Sequence, residues 1–164
     1  MKPIRCGSKT PTPYLRKYLP SIPLPSAKPL ALDLGAGNLR NTEFAESLGW
    51  TVMPIDAAGD NGSFCMDLGN EHLPCYDGTI NLFLCDYLMC FLPEDQRIHL
   101  VSEIKRTAAE GAYIIVEMFR AKNGFPYNTK TLVNMLGWNI IRISKDRFIA
   151  KAPTRKDQWV REQL

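Results

Sequence analysis

Histidine is scarce in this chain: His72 and His99 are the two among 164 residues. His72 and Cys75 have H-x-x-C spacing, but no second pair completes a zinc site, so no metal is expected. His99 falls between the polar and apolar faces of a helical pattern and reads as structural. The five cysteines are an odd number and contain no C-x-x-C pair. Free thiols in a reducing compartment are therefore expected rather than a disulfide framework, with Cys65, Cys85 and Cys90 as small buried hydrophobes. No run approaches the roughly 20 apolar residues of a bilayer span, which argues against a membrane partner. The first residues carry charge but no apolar leader core, so a cytoplasmic location is expected.

Acids are missing from residues 1–29, which contain Lys2, Arg5, Lys9, Arg16, Lys17 and Lys28. Residues 30–150 reverse the balance, with ten basic and fifteen acidic side chains, and residues 151–164 are basic again. Ordinary solvated termini explain this pattern; so does a basic lid or tail that meets an anionic partner. Seven of the twelve prolines also fall within residues 1–29, and "LPSIPLPSAKP" (19–29) excludes a helix interior. Just before it, Tyr14, Leu15, Tyr18 and Leu19 share one face of a short helix in "TPYLRKYL".

Past Pro29 the pattern alternates. Strands are predicted at 30–34, 51–55, 63–66, 80–85, 112–118, 139–143 and 147–151, and helices at 41–48, 94–109 and 129–136. Glu94 and Asp95 suit the positive end of the 94–109 helix, and Lys105 and Arg106 its other end. Gly49 and Gly137 read as helix stops. The expected fold is α/β: a doubly wound, Rossmann-like, seven-stranded, mostly parallel sheet with a C-terminal antiparallel hairpin. "DAAGDNG" (56–62) is too short for a crossover helix, so the connection after the second strand is expected to be abbreviated. The organisation expected is a basic, proline-rich lid and connector (1–29), a ligand-binding domain (30–152) and a basic tail (153–164).

In such a sheet the ligand sits where the first strand meets its helix. Gly35 and Gly37 in "LALDLGAGNLRNTEF" permit a tight turn and a close backbone approach. Asp33, inside the strand, suits a cationic ligand better than a pyrophosphate. A dinucleotide fingerprint needs glycine at position 40, where this chain has Arg40. Asp56, after the second strand, can accept from both ribose hydroxyls. A ribose and a positive group without a diphosphate describe S-adenosylmethionine (SAM).

"LDLGAGNLRN", "PIDAAG", "CMDLGNEHLPCYDGTINLFLCDYLMCFLPEDQR" and "EGAYIIVE" resemble, in order, the motifs of class I SAM-dependent methyltransferases across residues 30–152. The G-x-G-N-x-R-N loop and the Tyr14-Leu15 pair are most similar to the tellurite-resistance-type small-molecule methyltransferases. The resemblance implies that Asp33, Gly35, Ala36 and Gly37 cradle the methionine end of SAM. It implies that Asp56 binds the ribose and Ala57 borders the adenine. Asp67 would accept from the adenine amino group, with Met66 and Leu68 on the ring faces. Cys85 and Asp86 would border the methionine end and the methyl-transfer site, with Tyr87 as a wall. Asp86 and Tyr87 are the catalytic candidates, with Glu117 as a further carboxylate. Read as residues alone, Asp33 and Asp67 also suit turns, and Asp86 suits a strand-end cap. Leu39 stands where the family often has glycine, which implies a stiffer loop.

The acceptor is expected to be a small molecule. DNA is not expected, because "CDYLMC" lacks the proline of the family's DNA-base enzymes after the fourth strand. An RNA or protein acceptor using the basic ends, and a non-catalytic SAM-binding module, remain alternatives. The N-terminal helix is expected to close over the cofactor, with Tyr14 or Tyr18 beside the methyl group, and to be dispensable for folding of the sheet.

Overall fold

The computed structural model describes residues 7–59 and 61–157. Seven strands form one sheet: β1 (Leu30–Leu34), β2 (Thr51–Asp56), β3 (Phe64–Cys65), β4 (Ile80–Asp86), β5 (Ala108–Glu117), β6 (Asn139–Ile143) and β7 (Arg147–Lys151). Their order is β3-β2-β1-β4-β5-β7-β6. The pairs from β3 through β5 are parallel, and β7 runs antiparallel to both β5 and β6. The chain winds outward from β1 to β3, then returns to place β4 on the other side of β1. This reversal leaves a crevice at the carboxyl ends of β1 and β4.

Among the described residues, the two faces are covered by α1 (Pro13–Tyr18), α2 (Arg40–Ser47), α3 (Glu94–Thr107) and α4 (Thr129–Leu136). Alternation along each strand sends side chains to two separate cores. Leu32, Leu34, Phe83, Ile114, Val116 and Phe148 pack with Leu100 and Ile104 of α3 and with Leu132 and Leu136 of α4. Ala31, Leu82, Leu84, Ile115 and Ile149 face the other way, onto Leu15, Leu19, Ile22, Ala45 and Trp50.

The second core corrects one expectation. The helix α1 starts as the sequence suggests, with Pro13 in its first turn and the Thr12 hydroxyl accepting from the Leu15 N–H. A 3-10 turn at Leu19–Ser21 continues it. Its apolar side then seals the sheet face and does not close over the crevice. Tyr14 and Tyr18 stand edge to face, 4.8 Å apart, with the guanidinium groups of Arg147 and Arg142 over their rings at 5.4 and 4.8 Å. Burial of Leu15, Leu19 and Ile22 anchors α1, and the Ser8 carbonyl ahead of it accepts from the Asn38 amide at the cleft rim. Lys2 and Arg5, and Arg161 of the C-terminal tail, lie outside the described residues.

A second difference concerns α3. It ends at Thr107 and β5 begins at once at Ala108. The carbonyls of Arg106 and Thr107 accept from the N–H groups of Gly78 and Thr79, the residues leading into β4. Sheet pairing thus captures the chain before the helical pattern runs out. Between β2 and β3 there is no helix among the described residues, in keeping with the short connection. The helix α4 stops at Gly137, whose left-handed φ of 67° lets its N–H reach the Val133 carbonyl.

Candidate functional site

The crevice opens into a cleft of about 710 Å³. The glycine turn forms its floor. The N–H groups of Gly35 and Ala36 donate to the Ile55 carbonyl at 2.8 and 3.0 Å, tying the turn to the end of β2. Gly35 has a φ of +76°, and a Cβ there would lie 3.2 Å from the Leu88 Cβ. Both the backbone conformation and the space favour glycine. Leu39 and Tyr87, two residues with side chains, also adopt positive φ values of 65° and 61°. The left-handed form costs roughly 1–2 kcal/mol per residue. Both flank the cleft, as strained residues at functional sites often do. Leu39 precedes α2 and turns Arg40 and Asn41 toward the end of β4.

Asp56 lies at the cleft wall, half-buried. Its Oδ2 accepts from the Gly37 N–H at 2.9 Å, and its Oδ1 from the Ala58 N–H at 2.9 Å. The acid after β2 therefore organises the glycine turn as well as facing the cleft. Ala36, Ala57, Met66 and Leu68 line the same cavity. Asp67 lies on its rim, exposed, with its carboxylate accepting from the Gly69 N–H at 3.0 Å and the Asn70 amide at 2.8 Å. Its turn role and its place at the cleft coexist.

At the other end stand Asp86 and Tyr87, with Leu88, Phe91, Leu92 and Phe119. Tyr87 and Phe119 meet edge to face at 4.8 Å, and Phe91 and Phe119 at 5.8 Å. Asp86 Oδ2 accepts from Arg40 Nη2 at 3.1 Å and from Asn41 Nδ2 at 2.9 Å. Burial pushes the Asp86 carboxyl up to about 6, against the lowering effect of the Asn41 bond. Burial and the neighbouring Glu117 carboxylate push the Tyr87 hydroxyl up as well, so it stays protonated. Arg40 was notable in the sequence only as the absence of a third glycine. The alternation of β4 could have shown that Asp86 shares the face of Leu84, toward α2.

Four expected site residues do not line the cleft. Asp33 is 1% exposed and points under α2, where its Oδ2 accepts from the Thr42 hydroxyl at 2.6 Å. It lies beneath the glycine turn and does not contact the cavity. Cys85 points into the core beneath α3, and burial pushes its thiol up. Strand alternation is the reason: consecutive residues go to opposite faces, and neither of these two side chains turns toward the opening. Tyr14 and Tyr18 belong to the sheet face, as described above.

Burial pushes the Asp33 carboxyl up to about 7 from 3.8, with the Thr42 bond opposing. The folded chain then holds this proton more tightly than the unfolded chain does. Stability therefore falls as pH rises from the unfolded value through the folded one, across about 4 to 7. Asp33→Asn keeps an acceptor for Thr42 and is expected to raise the Tm by at least about 3 °C at pH 8. The gain should shrink toward zero near pH 4. Thermal melts at both pH values check this; equal shifts at both would show that the charge at position 33 is not the cause.

No protein-family model matches the chain, and no curated protein matches it in sequence. Solved structures do match its fold. A SAM-dependent methyltransferase from Archaeoglobus fulgidus superposes with a TM-score of 0.66 at 14% identity, over 84% of this chain and 91% of that one. A TehB-like SAM-dependent methyltransferase from Corynebacterium glutamicum gives 0.64 at 16% identity, over 85% and 86%. The 1,6-didemethyltoxoflavin-N1-methyltransferase of Burkholderia thailandensis, solved with 1,6-didemethyltoxoflavin and S-adenosylhomocysteine, gives 0.61 at 11% identity, over 76% and 71%. The chain has the Rossmann-like fold of SAM-dependent methyltransferases, in keeping with the motif order. Among the described residues, no group of side chains could hold a metal ion and no helix is long and apolar enough to cross a membrane.

Proposed function

We propose that this protein is a SAM-dependent methyltransferase acting on a small-molecule acceptor. One observation carries the reading most. The Asp56 carboxylate, bonded to the Gly37 and Ala58 N–H groups, faces a cleft that also contains Met66 and Leu68 at one end and Asp86 and Tyr87 at the other. The residues present fit SAM: Gly35 and Gly37 give close backbone approach, Asp56 offers acceptors for a ribose, and Met66 and Leu68 offer apolar surfaces for adenine.

When bound, SAM supplies a methyl group on a sulfonium, transferred by in-line displacement. The chain's residues align and enclose the reactants, which can account for much of the acceleration. Tyr87, Phe91 and Phe119 wall the acceptor end and reduce access of water. Asp86, at that end, holds or receives a proton on its carboxylate. Asp33 acts indirectly, by tying β1 to α2 through Thr42 beneath the glycine turn. Small-molecule acceptors of solved neighbours, such as 1,6-didemethyltoxoflavin, favour an acceptor of similar scale here.

Calorimetric titration is expected to show SAM and S-adenosylhomocysteine binding 1:1, and no binding of NAD. Arg40 fills the place of the third glycine of a dinucleotide site and is committed to Asp86. NAD binding without SAM binding would overturn the assignment.

A further inference from the structure

The face of the sheet covered by α1 and α2 ends in a polar row. Asp86 and Glu117 are register partners on the adjacent strands β4 and β5, and Glu117 pairs in turn with Arg147 on β7. The side chains of Asp86 and Glu117 are 9% and 4% exposed. Their donors do not cover their acceptors. Arg40 and Asn41 both donate to Asp86 Oδ2. No donor among the described residues is aligned on Asp86 Oδ1 or Asn41 Oδ1, whereas Glu117 has Arg147 Nε 3.0 Å from its Oε2 and the Tyr87 hydroxyl beside it. A buried acceptor left without a donor costs about 1–3 kcal/mol. Asp86 and Asn41 line the acceptor end of the cleft, and Glu117, the register partner of Asp86, does not. The rings of Tyr87, Phe91 and Phe119 line the same cleft, with the Arg40 guanidinium 5.9 Å from the Tyr87 ring.

We infer that the acceptor is a planar primary amine, an aromatic or heteroaromatic ring whose NH2 group donates to the Asp86 and Asn41 oxygens while the ring lies against Tyr87 and Phe119. The inference rests on the methyltransferase reading of the same cleft. Other nucleophiles fit less well. A thiolate or carboxylate has no N–H to offer the Asp86 Oδ1 and Asn41 Oδ1 acceptors, and the guanidinium that could attract it, Arg40, is already paired with Asp86. An alkylammonium has no lone pair until it loses a proton, and it has no flat face to lie against the rings of Tyr87 and Phe119. An aromatic amine is neutral at pH 7 and keeps its lone pair. That pair forms the N–C bond to the methyl carbon as the C–S bond breaks and its electrons return to sulfur. Positive charge thereby moves to nitrogen beside Asp86 and Glu117. One N–H proton passes to the Asp86 carboxylate and then to solvent, leaving the secondary amine.

The test begins with S-adenosylhomocysteine, titrated into the full chain. Failure at that step removes the methyltransferase reading and this inference with it. The resulting complex is then titrated at pH 7.5 with aniline, thiophenol and N,N-dimethylaniline, which share a ring and differ in their donors and charge. Aniline is expected to bind at least tenfold more tightly than either of the others. Labelled SAM is expected to yield N-methylaniline. Glu117→Gln should lower the aniline affinity severalfold while leaving S-adenosylhomocysteine affinity within about twofold, because Glu117 does not line the cofactor end. Should that variant fail to fold, the comparison of aniline with N,N-dimethylaniline on the unaltered chain decides alone. Binding of S-adenosylhomocysteine with no preference for aniline, including no binding of any probe, overturns the amine while leaving the methyltransferase reading intact.

Discussion

A chain lacking residues 1–28 is expected not to fold. The segment provides Leu15, Leu19 and Ile22, which are 3%, 0% and 8% exposed. Each large apolar side chain removed from water stabilises by about 1.5–3 kcal/mol. Their joint loss approaches the roughly 5–15 kcal/mol that holds a typical domain together. Deletion also uncovers Leu82, Leu84, Ile115 and Ile149, so a central sheet face would meet water and invite aggregation. The single substitution Leu19→Ala should already cost about 2–5 kcal/mol. Far-UV circular dichroism and thermal melts of the truncated and full chains decide the matter. A cooperative melt of the truncated chain close to that of the full one would show that α1 is an accessory, as the sequence alone suggested.

Asp56→Ala is expected to weaken SAM and S-adenosylhomocysteine binding about 10- to 150-fold, the scale of about 1.5–3 kcal/mol for hydrogen bonds to a charged group. Two effects act together. The ribose acceptors disappear, and the Gly37 and Ala58 N–H groups lose the carboxylate that holds them 2.9 Å away. The fold should persist, because Asp56 is half-buried at an open strand end and no core side chain depends on it. Asp56→Asn, which can keep one acceptor in place, should lose less. Titration calorimetry with a parallel melt separates affinity from stability. Unchanged affinity in a folded Asp56→Ala protein would place the ribose anchor elsewhere.

Much of the site was visible before the fold because its signals are local. The glycine turn, the acid after the second strand and the apolar pair around Asp67 are each legible within a few residues, although Asp56 bonds to Gly37 across 19 positions, and all of them meet at one cleft. Asp33 and Cys85 show the limit. Each stands at the end of a strand entering the cleft, yet each side chain points into a core. Arg40 shows the converse. Its partner Asp86 lies 46 positions later, and no pattern near Arg40 announces the pairing.

By itself the sequence determined the helices α1 and α4, the strands β1, β6 and β7, the glycine turn and the short link after β2. Propensity, periodicity, capping and loop length work over a handful of residues, so they can be read along the chain. Only the tertiary structure decided that α1 packs on the sheet face, that β7 inserts between β5 and β6, and that α3 yields to β5 at Ala108. It alone brought Arg40, Asp86, Glu117 and Arg147 into one polar row, buried at Asp86 and Glu117 and open at Arg147. Those outcomes depend on which apolar faces cover one another and on which strands share hydrogen bonds. Both are set by contacts between residues far apart in the chain, where local preference carries no information.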